Sequence, residues 1–388
     1  GSFKNVRGYL DTLVVAESRV GKSSTAEALQ NLYGLGAFTS LAGNSATIPG
    51  LIGGSNKVNG NYQTRAGLIP MNHRGLIIFE ELAKCNGNLI RELTDIRSSN
   101  QVRIARVSGT LTLPALVRMI TLTNVVAHNG HIKPINAYPN GIEILQDLIG
   151  TPEDMARYDI MLVMGDAGNR VIDPFWEAEQ PFEIEDYRTR IRWIWSRNPD
   201  QIIIDKEIGR YIISKCNQLN EKYDSHIKIF GTEAWKKVAR LAIAVAGYLV
   251  STDNTYEKII VTKDHVDFAC KYLVDCYDNP TFKFKEYVDM ERQYSTIDDE
   301  GVALLQEIYN QNPSVCLQLE RLSRTNRQNL MSASGLDNEL YNKLMQRLTQ
   351  GLFIQYEAYD IIPTQRFRQG MSMINRGGNI HKVGEHDA

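Results

Sequence analysis

The chain has 388 residues, enough for two or three domains with ample cores. Its formal net charge of −2 supplies no global attraction to nucleic acid, so any such contact must come from local patches. Five dispersed cysteines without a C-x-x-C pair exclude a disulfide framework or zinc module and suit a reducing, cytoplasmic setting, and no apolar run reaches membrane-spanning length.

Close behind the start, Thr12–Val15 is a short apolar, β-branched run that predicts a buried strand. It leads into Ala16, Glu17, Ser18, Arg19, Val20, Gly21, Lys22, Ser23 and Ser24, and then into a helical pattern with Ala28 and Leu32 on one face. Strand, glycine-containing loop and helix start make a P-loop, whose backbone N–H groups and helix dipole hold phosphate. Lys22 is placed to reach the β- and γ-phosphates of ATP, and the Ser23 hydroxyl to join the shell of Mg²⁺. Alanine stands at position 16 where the pattern usually has its first glycine.

Gly-, Ser- and Asn-rich sequence from Ala42 to Arg65 reads as a long functional loop. A second strand, Leu76–Phe79, ends in Glu80 and Glu81. Paired carboxylates at the end of an apolar strand fit a Walker B site, the first ordering Mg²⁺ and the second polarising the attacking water. Glu80 replaces the usual aspartate, and its longer arm can act through water.

Arg97–Thr110 alternates on both sides of Ala105–Ser108 and predicts a β-hairpin with Arg103 and Arg106 near its tip, suited to phosphate-backbone contact. Strand Met119–Thr123 ends in Asn124, a polar group in position to sense the γ-phosphate. Arg157 precedes the last strand of the unit, Asp159–Met164, where an arginine could reach a neighbouring subunit. Together these alternations predict an α/β core over 3–180.

Helical patterns at Tyr187–Trp195, Lys206–Tyr223, Thr232–Val250 and Thr262–Tyr277 predict an α-helical unit over 181–279, followed by a linker at 280–296. Helices at Gly301–Gln311, Leu319–Ala333 and Leu336–Gln350, then strands Gly351–Glu357 and Tyr359–Thr364, give winged-helix order over 297–369. The Gly-, Asn- and charge-rich tail 370–388 is expected to be disordered.

These motifs resemble the MCM (minichromosome maintenance) branch of the AAA+ ATPases. The likeness runs through Val6–Val15, the P-loop, Gly36–Ser40, Ser45–Leu51, Ala66–Leu68, the hairpin and Met155–Asp159. The chain is similar to the MCM-like helicases of staphylococcal chromosome cassettes and related mobile elements. The resemblance implies an AAA+ P-loop core with a helical lid and an α+β winged-helix domain. It implies Glu81 as catalytic carboxylate, Asn124 as sensor 1 and Arg157 as an arginine finger acting in trans. Arg106 falls at the pre-sensor hairpin and Ser55–Gln63 at the helix-2 insert, both facing DNA in the channel of a hexameric ring. Lys236, Lys237 and Arg240 are the candidates for sensor 2, where Glu233 takes the usual arginine's place. Few residues precede the first strand, so the core is expected to be truncated, without the adenine-flanking helix and the N-terminal DNA-binding collar. A replication-initiator protein is a further expected partner; a membrane is not.

Two other readings compete. Gly36-Ala-Phe-Thr-Ser40 is similar to the Gly-Ala-Phe-Thr-Gly-Ala loop of AAA+ transcriptional activators. The departures at Ala16, Glu80 and sensor 2 favour a nucleotide-gated scaffold without motor activity.

Overall fold

The computed structural model describes residues 9–18, 20–34, 36–42, 46–58, 61–85, 87–106, 109–128, 131–165 and 183–380. The chain divides into two compact units, residues 1–285 and 286–388.

The first unit is built on five parallel strands: β1 (Asp11–Ala16), β2 (Ala37–Ser40), β3 (Leu76–Glu80), β4 (Arg118–Thr123) and β5 (Ile160–Met164), in spatial order β5-β1-β4-β3-β2. Parallel neighbours need long crossovers, and helices on the faces leave the inner strands with continuous apolar runs. Leu13, Val15, Ile77, Ile78 and Phe79 are accordingly buried to completion. Strand β2 is the one the sequence patterns do not announce. Gly36–Ser40 is not a protruding activator-type loop but leads an edge strand, in register with β3 from Ala37 opposite Ile77 to Ser40 opposite Glu80.

Helix α1 (Lys22–Tyr33) starts at the P-loop lysine, three residues before the apolar spacing suggests, and that turns its inner face. Ala26 is buried, with Tyr33 packed near it, whereas Ala28 is exposed. The Ala42–Arg65 segment is not a structureless loop. After a short helix at Ile48–Leu51 it forms an antiparallel hairpin, Gly53–Val58 with Asn61–Ala66. A second hairpin pairs Gln101–Arg106 with Gly109–Pro114.

Helices Ile184–Trp195, Lys206–Lys222, Ala234–Tyr248 and Lys263–Tyr277 complete the first unit. Within Ala234–Tyr248, Val238, Leu241 and Ala242 are buried as their spacing requires, but Leu249 falls beyond the helix and is exposed. The stretch read as a linker contains the helix Phe284–Ser295.

The second unit has helices Asp299–Gln311, Pro313–Arg321, Arg327–Ser334, Asn338–Gln350 and Gln365–Ile380, with a small antiparallel sheet of Thr325–Asn326, Asp360–Pro363 and Ile354–Glu357. Leu319–Ala333 is thus two helices with a short strand between them. The expectation of a disordered tail fails over 370–380. Met371 and Ile374 are buried in the core formed by Tyr341, Phe353, Phe367 and Leu348, which makes the last helix amphipathic despite its glycines. Residues 381–388 lie outside the described residues.

Candidate nucleotide-binding site

The carboxyl ends of parallel strands are where such sheets bind ligands. Here the ends of β1, β3 and β4 converge on a pocket of about 400 Å³ lined by Ser18, Gly21, Lys22, Ser23, Ser24, Glu80, Glu81, Leu122, Thr123 and Asn124. Gly21 caps α1 at φ 84, and a Cβ there would meet nothing within 4 Å. The left-handed conformation therefore calls for glycine, and the open space leaves the helix N-terminus accessible to an anion. Ala16 is the buried last residue of β1, and Val20 is half-buried. Arg19 lies outside the described residues.

Lys22 Nζ folds back onto its own loop, donating to the Ala16 carbonyl at 2.9 Å and the Glu17 carbonyl at 2.5 Å. Burial lowers its pKa, opposed by the Glu80 and Glu17 carboxylates. The Glu17 side chain points away from the pocket and accepts from the Ile135 N–H at 2.8 Å. Ser23 Oγ donates to Glu80 Oε1 at 2.5 Å. A hydroxyl and a carboxylate meeting at a helix N-terminus fit Mg²⁺, which takes one or two protein oxygens and fills its shell with water and phosphate. Among the described residues no group of three or more His, Cys, Asp or Glu side chains could hold a metal.

Glu81 sits at φ 61, a conformation costing a non-glycine residue about 1–3 kcal/mol. The turn brings its carboxylate to Ser40 Oγ, which donates to Oε2 at 2.7 Å, and to the Lys84 ammonium on Oε1. The Lys84 hydrogen bond first, and Ser40 second, hold the Glu81 carboxyl below its ordinary range. Sequence patterns missed both partners. Ser40 is delivered by β2, and Lys84 by the single 3₁₀ turn Leu82–Lys84. Thr123 is a third missed residue: its Oγ1 accepts from the Ala83 N–H at 2.9 Å and pins β4 to that turn. Asn124 Oδ1 is buried, with no protein partner among the described residues.

Arg157 stands at the opposite edge of the sheet, ahead of the first residue of β5, while the P-loop follows the last residue of β1. It is exposed and lies 3.9 Å from the Asp154 carboxylate. Of the sensor 2 candidates, Lys236 pairs with Glu233, whereas Lys237 and Arg240 are buried against Tyr158 and Asp159. None of the three lines the phosphate pocket.

On the hairpin, Val102 and Ile104 are buried and Arg103 is exposed. Arg106 closes the paired ladder opposite Gly109; its side chain lies outside the described residues.

Residues 2–175 match the family model of the MCM P-loop domain. The matched span carries the whole sheet, the pocket, both hairpins and Arg157, and is less than half of the chain. That match supports an α/β P-loop fold of MCM-like type over this span, and such a fold implies nucleotide binding. No curated protein matches the chain. No helix among the described residues is long and apolar enough to cross a membrane. Burial pushes the Cys216 and Cys316 thiols up to about 12.

Proposed function

We propose that the chain is the motor of a hexameric, ATP-driven DNA helicase, serving replication of a mobile element in the cytoplasm. The observation that carries this reading is a division of the catalytic set. Lys22, Ser23, Glu80, Glu81 and Asn124 share one pocket, while Arg157 is exposed at the far edge of a five-residue-long strand layer. Five residues of strand span about 17 Å, beyond the reach of one side chain, which supports a role for Arg157 on a neighbour's nucleotide rather than its own.

In this mechanism ATP lies between subunits. Lys22 exchanges the Ala16 and Glu17 carbonyls for phosphate oxygens, and Ser23 with Glu80 would hold Mg²⁺, which would supply charge neutralisation. Glu81 leaves Ser40 and Lys84 to orient the attacking water, with Asn124 on the other side of it. The neighbour's Arg157 stabilises the charge that develops as the phosphoryl group departs. The arginine hairpin and the Gly53–Ala66 hairpin, in contact through Ile104 and Gly53, grip a DNA strand in the channel. The four helices of 184–277 act as the lid. The second unit is a winged helix that docks a protein such as a replication initiator. On its helix Asn338–Gln350, Lys343 pairs with Glu339 at 2.7 Å and Arg347 with Glu307 at 2.9 Å, so both cations are already matched by its own acids.

A nucleotide-gated scaffold is the second reading, favoured by Lys237 and Arg240 being engaged away from the phosphate pocket. ATP-dependent unwinding of a forked DNA duplex decides between them. The expected result is unwinding by the wild type, none by Lys22→Ala or Arg106→Ala, and retained basal hydrolysis in Arg106→Ala. Hydrolysis that DNA does not stimulate, without unwinding, would overturn the motor and leave the scaffold.

A further inference from the structure

Arg157 is exposed, but the two residues after it are buried, and three elements converge on them. From the helix Ala234–Tyr248, Lys237 Nζ donates to the Tyr158 carbonyl at 2.6 Å, and Arg240 Nη2 lies 2.7 Å from Asp159 Oδ1. From β1, the Asp11 N–H donates to Asp159 Oδ2 at 2.9 Å, and the Asp159 N–H donates to the Asp11 carbonyl at 3.0 Å. From the last turn of helix Gly87–Ser99, the Arg97 guanidinium stacks 4.4 Å from the Tyr158 ring centre, with Nε 3.9 Å from Asp11 Oδ2.

All five charged groups are less than a tenth exposed. Burying ions costs several kcal/mol each, and apolar side chains of the same volume usually hold a core equally well. Charges and planar guanidinium groups supply direction, which apolar packing does not. The direction fixed here is that of the backbone presenting Arg157. Arg97 also sits at the root of the arginine hairpin: its helix ends at Ser99, Asn100 turns at φ 57, and the hairpin begins at Gln101. Across that root the Ala115 N–H donates to the Asn100 carbonyl at 2.8 Å.

We propose that Arg97, Asp159 and Arg240 are positioning residues for Arg157. They set the backbone from which it reaches the neighbouring copy's nucleotide, and through Arg97 they link hairpin position to that reach. The proposal rests on Arg157 acting in trans.

The test uses the full chain with Arg97→Lys and Arg240→Lys, which keep the charge but lose the planar fork. ATP hydrolysis with DNA present should lose about tenfold to a hundredfold in kcat. KM for ATP should change by no more than about twofold, because each variant's own pocket is intact. Mixed with Glu81→Gln subunits, which are inactive themselves but carry a sound Arg157, each variant should regain activity, as an Arg157→Ala mixture should. If Arg157→Ala gains nothing from mixing, the trans reading itself falls. If Arg157→Ala recovers but the lysine variants do not, or if their kcat is unchanged from the start, the positioning role is overturned. Should either variant fail to melt cooperatively, Asp159→Asn, of equal volume, carries the same comparison.

Discussion

At the scale of single residues, the pocket holds its polar groups in partnerships that the proposed mechanism would have to break. Ser40 and Lys84 occupy both oxygens of Glu81, so releasing either changes the reaction in a definite direction. Ser40→Ala removes a restraint on the carboxylate and is expected to raise DNA-independent ATP hydrolysis, measured by phosphate release. Lys84→Ala acts on the pH profile instead. The lysine hydrogen bond is the largest cause holding the Glu81 carboxyl below its ordinary range. Removing it lets that pKa rise, and a base must be ionised to work. The acid limb of kcat/KM, which reports the free enzyme, should therefore move to higher pH while the alkaline side stays in place. The pocket's polar chemistry was readable from sequence wherever it is local, as with Gly21, Lys22 and Ser23. Ser40 was not, because nothing in Gly36–Ser40 says which strand will lie beside it.

At the scale of elements, the two hairpins depend on one glycine. Gly53 sits at φ 120, and a Cβ there would come within 2.5 Å of the Arg65 carbonyl oxygen and 2.7 Å of Ile104 Cδ1. Gly53→Ala combines backbone strain with overpacking, and should cost about 2–4 kcal/mol in urea denaturation. With the hairpins forced apart, DNA stimulation of hydrolysis should fall even in molecules that remain folded. The hairpin at Gln101–Pro114 was anticipated because alternation with a two-fold period survives on both arms. Its partner within Ala42–Arg65 was not, since Gly, Ser and Asn side chains carry no such alternation. The final helix escaped notice for a related reason. Gly370, Gly377 and Gly378 weaken its propensity, and only the core waiting for Met371 and Ile374 makes it worthwhile.

At the scale of the molecule, residues 286–388 have a core of their own, with Tyr341, Phe353 and Phe367 fully buried. That fragment should fold by itself. Phe353→Ala should lower its stability by about 3–5 kcal/mol, seen as a shifted melting transition, while fluorescent-nucleotide binding by the first unit is preserved. The parallel sheet sets the other large-scale property. Because all five strands run the same way, one end of the sheet carries the pocket and the other carries Arg157, the polarity on which the proposed oligomer rests.

Sequence by itself determined the strand–loop–helix of the P-loop, the acidic end of Leu76–Glu80, the hairpin with its arginines and the alternation of an α/β core. Each is a relation between residues a few positions apart, where hydrophobic period, glycine conformation and helix capping operate. Tertiary structure alone decided the order β5-β1-β4-β3-β2, the meeting of Ser40 with Glu81, and the diversion of Lys237 and Arg240 to Tyr158 and Asp159. Those relations span 40 to 148 positions, and they are chosen by which surfaces bury each other best, a property that no single segment carries.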